Sequence, residues 1–354
     1  MSEARQVDLE RGRADGVFEG GGVKGIAFAG ALAAAEAELG IREWVNVAGT
    51  SAGAIAACLV AAGYGAETLR EILRDANYQR FADYGAGGRL IGAPLNALRL
   101  RGIARGEYFK EWLRDRLAES PLKKRDPTFA DLERADIPAE ASPQHREAVR
   151  YRLRVIASDV SEGRMLVLPQ DIEGYRDRDG TELRPDELKV VDAVRMSMSF
   201  PFFFNPVTLR KRSGDRLREH LIVDGGLLSN FPVWLFDGKP IHRPTFGFRL
   251  HPGKGPEVPY YAPVPKPLWE VPLVKALLHA ATAAWDERMQ LATKVRTVRI
   301  PTFEIATLDF GLSVADAERL YESGRAAATE FFRTETRYID QYGQTAPGPA
   351  HLRR

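Results

Sequence analysis

The sequence has one cysteine, six histidines and no long run of strongly apolar residues. Each scarcity excludes something. Cys58 cannot form an internal disulfide or a cysteine-based metal site, and in its alanine-rich surroundings it reads as a small buried hydrophobe. A chain without disulfides fits a reducing, cytoplasmic compartment. Excess charge is missing too: 50 Lys and Arg face 48 Asp and Glu, leaving +2 and no electrostatic case for nucleic acid. The opening "MSEARQVDLERGRADG" lacks the apolar core of a signal peptide. The longest weakly polar run, Ala48 to Gly63, holds Gly49, Thr50, Ser51 and Gly53 among alanines. It falls short of the ~20 strongly apolar residues of a membrane span. A soluble protein is expected, with peripheral membrane contact left open. Repeats, low-complexity tracts and interdomain linkers are also lacking. The expectation is one domain over residues 16–335 with insertions near 80–106 and 170–188, between a flexible 1–15 and a flexible 343–354. Nothing in the sequence speaks to oligomeric state.

What is present begins with a repeated plan. "DGVFEGGGVKGIAFAGALAAAEAELG" reads as a strand ending near Glu19, a glycine turn, and a helix from Gly25 to Leu39 closed by Gly40. "WVNVAGTSAGAIAACLVAAG" repeats it, with a sharp turn at Ser51. Two strand–turn–helix units in succession predict an α/β fold, a three-layer α/β/α arrangement on a mainly parallel central sheet. Further helices are expected at 66–77, 106–119, 190–200, 266–295 and 313–332. "YRLRVIASDV", "EGRMLVLPQ", "PTFGFRL" and "TVRIPT" read as strands, and 207–226 as a hairpin turning at Ser213-Gly214-Asp215. Residues 170–188 read as a polar surface excursion.

The chemistry-bearing motifs each admit more than one reading. Residues 20–25, "GGGVKG", match the G-x-G-x-x-G of dinucleotide-binding proteins, but the next strand ends in a neutral turn where that site needs an acid. Alternatively, the amides of Gly20, Gly21, Gly22, Val23, Lys24 and Gly25 supply an oxyanion hole at the head of a helix. "GTSAG" places Ser51 between Gly49 and Gly53 in the G-x-S-x-G pattern of a nucleophile elbow. A base must then be found. His242, His251 and His279 follow in the order of a Ser-Asp-His triad, while "DGG" puts Asp224, followed by Gly225 and Gly226, at the end of an apolar strand. An Asp-Gly pair is also an ordinary turn.

Taken in order and with their flanks, "EGGGVKG", "GTSAG" and "DGG" resemble the glycine loop, nucleophile elbow and base motif of the patatin-like phospholipase family. "AVRMSMSFPFFF", "DGGLLSNFPV" and "TLDFGLS" resemble bacterial members, so the similarity spans roughly residues 16–332. Glu19 stands where the family usually has aspartate. Lys24 stands where plant members have arginine, keeping the charge without the planar fork.

The resemblance implies a Ser-Asp dyad without histidine: Ser51 as nucleophile, Asp224 as proton acceptor, an acyl-enzyme, and neither cofactor nor metal. It implies a phospholipase A or lysophospholipase acting on phospholipid or another long-chain acyl ester, in lipid breakdown. Two segments suit such substrates. "SFPFFF" with Met196 and Met198 offers an apolar wall or a plain core strand. Residues 85–106 interleave Arg89, Arg99, Arg101 and Arg105 with Leu and Ile, as a lipid-surface contact or a solvated packing loop. A Ser-Asp-His esterase, an acyltransferase and a nucleotide-binding module remain as alternatives.

Overall fold

A computed structural model describes residues 12–83, 104–137, 143–237, 243–251, 294–307 and 309–339. The N-terminal 1–11, residues 84–103, residues 266–293 of the helix expected at 266–295 and the tail from 340 lie outside the described residues. The principal elements are β1 (Arg13–Phe18), α1 (Ile26–Leu39), β2 (Glu43–Thr50), α2 (Ala52–Ala61), α3 (Ala66–Arg74), α4 (Glu107–Glu119), β3 (Leu153–Asp159), β4 (Arg164–Leu168), β5 (Tyr175–Arg176), α5 (Val190–Ser197), β6 (Val207–Ser213), β7 (Arg216–Asp224), β8 (Thr245–His251), β9 (Thr297–Pro301) and α6 (Val314–Thr334).

The nine strands form one mixed sheet in the order β5-β6-β7-β3-β2-β1-β8-β9, with β4 added on β3. Strands β3, β2, β1, β8 and β9 run parallel, while β4 to β7 are antiparallel to their partners. β3 is buried at every position, which explains its near-continuous apolar run. One face of the sheet packs into the main core with α1, α2 and α6. On the other face Val17 and Ala48 meet Phe231, Val233 and Phe236.

The register on β3 has a local consequence. β4 pairs with Val155–Asp159 and so occupies one edge of β3 along that length. β2 pairs with Leu153–Ile156 and β7 with Ala157–Asp159. Both overlap β4, so both must lie on the opposite edge, where they run toward each other and stop. Thr50 is paired with Ile156 and Asp224 with Ala157, so the two strand ends meet at consecutive residues of one spine.

Local chemistry accounts for the element ends. α1 is alanine-rich and buried nearly all round, and Gly40 closes it at φ 65° in the left-handed region. The 207–224 hairpin turns through Gly214 at φ 60°, with Ser213 paired to Arg216, as the sequence suggests. Two expectations change. The 170–188 excursion carries the buried Ile172 and Tyr175, and Tyr175–Arg176 is a strand on β6. "SFPFFF" is neither helix nor strand: α5 ends at Ser197, ahead of Pro201, and the phenylalanines follow in a turn.

α1 and α6 meet through a reciprocal pair of glycines. A Cβ on Gly30 would stand 1.9 Å from the Tyr321 carbonyl oxygen, and one on Gly324 would stand 1.9 Å from that of Ala27. Neither backbone can yield without moving a helix. Gly324→Ala should therefore destabilise by about 1–3 kcal/mol through overpacking, even though alanine favours a helix by ~1 kcal/mol. Denaturant titration of the variant measures it, and a stability equal to or above that of the parent would contradict the close contact.

Candidate active site

Ser51 sits where β2 turns into α2, at φ 52° and ψ −121°. A positive φ in a residue with a side chain costs on the order of 1–3 kcal/mol and persists only where the surroundings over-determine it. Here they do. The Ser51 amide donates to Ser197 Oγ at 2.9 Å, and Thr50 Oγ1 donates to the Ser229 carbonyl at 3.1 Å. Gly53 lets the first turn of α2 press onto the end of β1, since a Cβ there would lie 2.2 Å from the Phe18 carbonyl oxygen.

Asp224 arrives from the opposite direction at the end of β7, with its side chain 2 % exposed. Its amide donates to the Ser199 carbonyl at 2.9 Å, and its Oδ1 accepts from the Gly226 amide at 2.8 Å. Oδ2 is buried with no settled hydrogen bond. Burial pushes its pKa up to about 7, against the Gly226 amide and the nearby Ser51 hydroxyl, which both favour the charged form. No imidazole among the described residues contributes to that shift. Of the histidines with triad order, His242 and His279 lie outside the described residues. His251 ends β8, where its carbonyl accepts from Thr302.

The glycine loop is more selective than the motif suggests. Of the six residues expected to donate, Gly20 gives its amide to the Asn230 carbonyl at 3.1 Å. Val23 gives its amide to the Thr307 carbonyl at 3.1 Å, and that of Lys24 points back to Gly21. Gly25 closes the short turn of residues 22–25. The amides of Gly21 and Gly22 have no partner among the described residues. Gly22 is obligatory: φ is 60°, and a Cβ would lie 1.8 Å from the Thr307 carbonyl oxygen. With two amides left over, the loop lacks the row of donors a pyrophosphate needs, which weakens the dinucleotide reading.

Glu19 anchors this loop. Glu19 accepts from Arg249 Nε at 3.2 Å and from the Leu250 amide at 2.6 Å, fixing the loop to β8. Lys24 is desolvated, which lowers its pKa, and the Glu19 carboxylate opposes that shift.

Sequence reasoning missed the supports. Ser197 and Ser199 at the end of α5 hold the backbones of Ser51 and Asp224 respectively. Arg195, buried and with its pKa lowered by burial to about 10, donates to Ser199 Oγ and to the carbonyls of Arg105 and Asn205. "RMSMS" carries no motif that announces this; only the pairing across the sheet does.

The chain matches the family model for "Patatin-like phospholipase" over residues 16–237. The protein belongs to the patatin-like phospholipase family. It is 38% identical over 244 residues to the uncharacterized protein YqhO of Bacillus subtilis (strain 168), covering 67% of this chain and 71% of that one. The patatin-like fold is shared with VipD from Legionella pneumophila at a TM-score of 0.53 and 15% identity, covering 91% of this chain and 67% of VipD. ExoU of Pseudomonas aeruginosa, solved with SpcU, aligns at a TM-score of 0.43 and 19% identity, over 92% of this chain and 52% of that one.

Away from the patatin-like motifs, Asp159, Glu162 and His220 bring potential metal ligands within 4.8 Å of one another. Their atoms are already used. Asp159 Oδ2 meets Tyr175 OH and His220 Nδ1, each at 2.7 Å, while Glu162 pairs with Lys211. Burial alone would raise the Asp159 pKa, yet these hydrogen bonds and two amides outweigh it and hold it below the usual value. The cluster is a satisfied structural node on β3 and β7.

The raised pKa of Asp224 makes it a stability liability. An unfolded aspartate ionises near pH 3.8 and the folded one near 7, so between those values the folded state binds more protons and stability falls as pH rises. Above pH 7 the deficit is on the order of 4 kcal/mol. Asp224→Asn should therefore raise the melting temperature at pH 8, and the gain should vanish below about pH 4. A melting temperature that is unchanged or lower at pH 8 would show that the carboxylate is not desolvated.

Proposed function

We propose that the protein is a serine lipid acyl hydrolase of the phospholipase A or lysophospholipase type, working through a Ser51–Asp224 dyad. One observation carries the reading: a buried carboxylate with a free oxygen stands beside a strained serine. Asp224 accepts the Ser51 proton as Oγ attacks the ester carbonyl, and then returns it to the leaving alcohol. A carboxylate with an ordinary pKa is a weak base toward a hydroxyl. Raising it to about 7 narrows that gap while leaving much of it ionised near neutrality. The charge that develops on the carbonyl oxygen falls to the amides of Gly21 and Gly22, since the Ser51 amide is committed to Ser197. The dipole of α2 acts in the same sense. One such donor is typically worth ~2.7–4 kcal/mol in the transition state.

The substrate reading rests on the family and on the surroundings of the dyad. Patatin-like phospholipases act on lipids. Directly after Ser199 come the half-buried Phe200, Pro201 and Phe202 and the buried Phe203 and Phe204, an apolar stretch suited to an acyl chain. No helix among the described residues is long and apolar enough to cross a membrane. The basic and apolar stretch proposed to rest on a lipid surface lies outside the described residues, apart from 104–106.

Ser51→Ala and Asp224→Asn should each lower ester hydrolysis by at least about 1,000-fold while both variants fold. Mass spectrometry of products from a mixed lipid extract, against Ser51→Ala as control, identifies the ester cleaved. Activity surviving Asp224→Asn but lost in His251→Ala would favour the triad instead. The sign of the pH dependence is also set: kcat/KM should climb tenfold per unit toward pH 7 and then level, because the ionised carboxylate is the active form. A profile flat from pH 5 to 8 would refute Asp224 as the base.

A further inference from the structure

We infer that Asn230 is a further catalytic residue, whose side-chain carbonyl holds the hydrolytic water together with Asp224 Oδ2. The inference rests on the dyad and acyl-enzyme proposed above.

Asn230 lies six residues after Asp224 and is 9 % exposed. It clamps the glycine loop twice: its carbonyl accepts from the Gly20 amide at 3.1 Å, and its Nδ2 donates to the Gly20 carbonyl at 3.2 Å. A carbonyl can be met only by the NH2 side of the amide, so the clamp fixes the amide's orientation. Oδ1 must then face the other way, and it has no hydrogen-bond partner.

The space it faces belongs to the dyad. The point where a side chain on Gly20 would begin lies 2.3 Å from Asn230 Oδ1 and 3.3 Å from Ser51 Cβ. The corresponding point on Gly226 lies 2.8 Å from Asn230 Oδ1 and 3.1 Å from Asp224 Oδ1. Gly20 and Gly226 carry no side chain, and this lets the Asn230 carbonyl oxygen come close to the side chains of both Ser51 and Asp224.

A count of protons gives the assignment. Two buried acceptors, Asp224 Oδ2 and Asn230 Oδ1, are unpartnered, and an unmet buried acceptor costs about 1–3 kcal/mol. The Ser51 hydroxyl has one proton and can meet one of them. In the acyl-enzyme it has none. Water has two, and can meet both while its oxygen points away from them toward the ester. In the step itself, Asp224 Oδ2 takes one proton as the water oxygen bonds to the acyl carbon. Asn230 Oδ1 keeps the second O–H in place. The bond from carbon to Ser51 Oγ then breaks, Asp224 returns its proton to Oγ, and the free acid leaves. An alcohol acceptor has a single O–H and gains nothing from Asn230, so this residue favours hydrolysis over acyl transfer.

The test is partition of the acyl-enzyme between water and methanol, using a long-chain p-nitrophenyl ester, with fluorophosphonate labelling of Ser51 as a separate readout. Asn230→Ala should slow hydrolysis of the acyl-enzyme by about 100-fold, as expected for a misplaced reactant. It should raise the ratio of methyl ester to free acid by about tenfold or more, and slow labelling no more than Asn230→Asp does. Asn230→Asp, which keeps an oxygen at the Oδ1 position but cannot donate to Gly20, should retain the wild-type ratio even if its labelling slows. An unchanged ratio in Asn230→Ala, or a loss of labelling that matches the loss of turnover, would reduce Asn230 to an anchor of the loop. A wild-type enzyme that neither labels at Ser51 nor forms methyl ester would overturn the dyad reading as well.

Discussion

Asp224 is a carboxylate held out of water with half of its hydrogen-bonding capacity unused. A protein interior normally neutralises, pairs or expels such a group. Here the surroundings supply one amide from Gly226 to Oδ1 and leave Oδ2 buried without a hydrogen bond. β2 and β7 share an edge of β3 and stop against each other at Ile156 and Ala157, which brings the strand ends that carry Ser51 and Asp224 together. The strained φ of Ser51 and the elevated pKa of Asp224 are two expressions of the same local compromise.

The parts of the site that could be read from the sequence are those made by neighbours in the chain. A glycine-flanked serine between an apolar strand and an alanine-rich helix specifies its own turn, and so does an Asp-Gly pair ending a strand. The helix boundaries at Gly40 and Ser313 follow from capping chemistry in the same way. What could not be read depends on partners far along the chain. That β7 runs antiparallel to β3, and shares an edge with β2, follows from pairing across 63 residues or more. The fates of the loop amides are equally remote, since Val23 is claimed by Thr307 and Gly20 by Asn230. No local pattern distinguishes the amides of Gly21 and Gly22 from their neighbours.

The supporting residues fall under the same physical limit. Ser197 and Ser199 are ordinary small residues at a helix end, and each acts on the backbone of a different member of the proposed dyad. Arg195 ties the second of them to the carbonyls of Arg105 and Asn205, so the segment entering α4 is coupled mechanically to the strand end that carries Asp224. A guanidinium is well suited to the task, since it stays charged under burial and offers donors in several directions at once.

The contact between the glycine loop and Thr307 also bears on the order in which the enzyme is built. A ribosome delivers Ser51 early and Asp224 midway, but the carbonyl that captures Val23, and the backbone against which Gly22 is moulded, come nearly 300 residues after the loop itself. Until that stretch emerges, the nascent chain carries the proposed nucleophile with a glycine loop that has not been given its shape. Under the proposed mechanism, hydrolytic competence waits until residue 307 has been made.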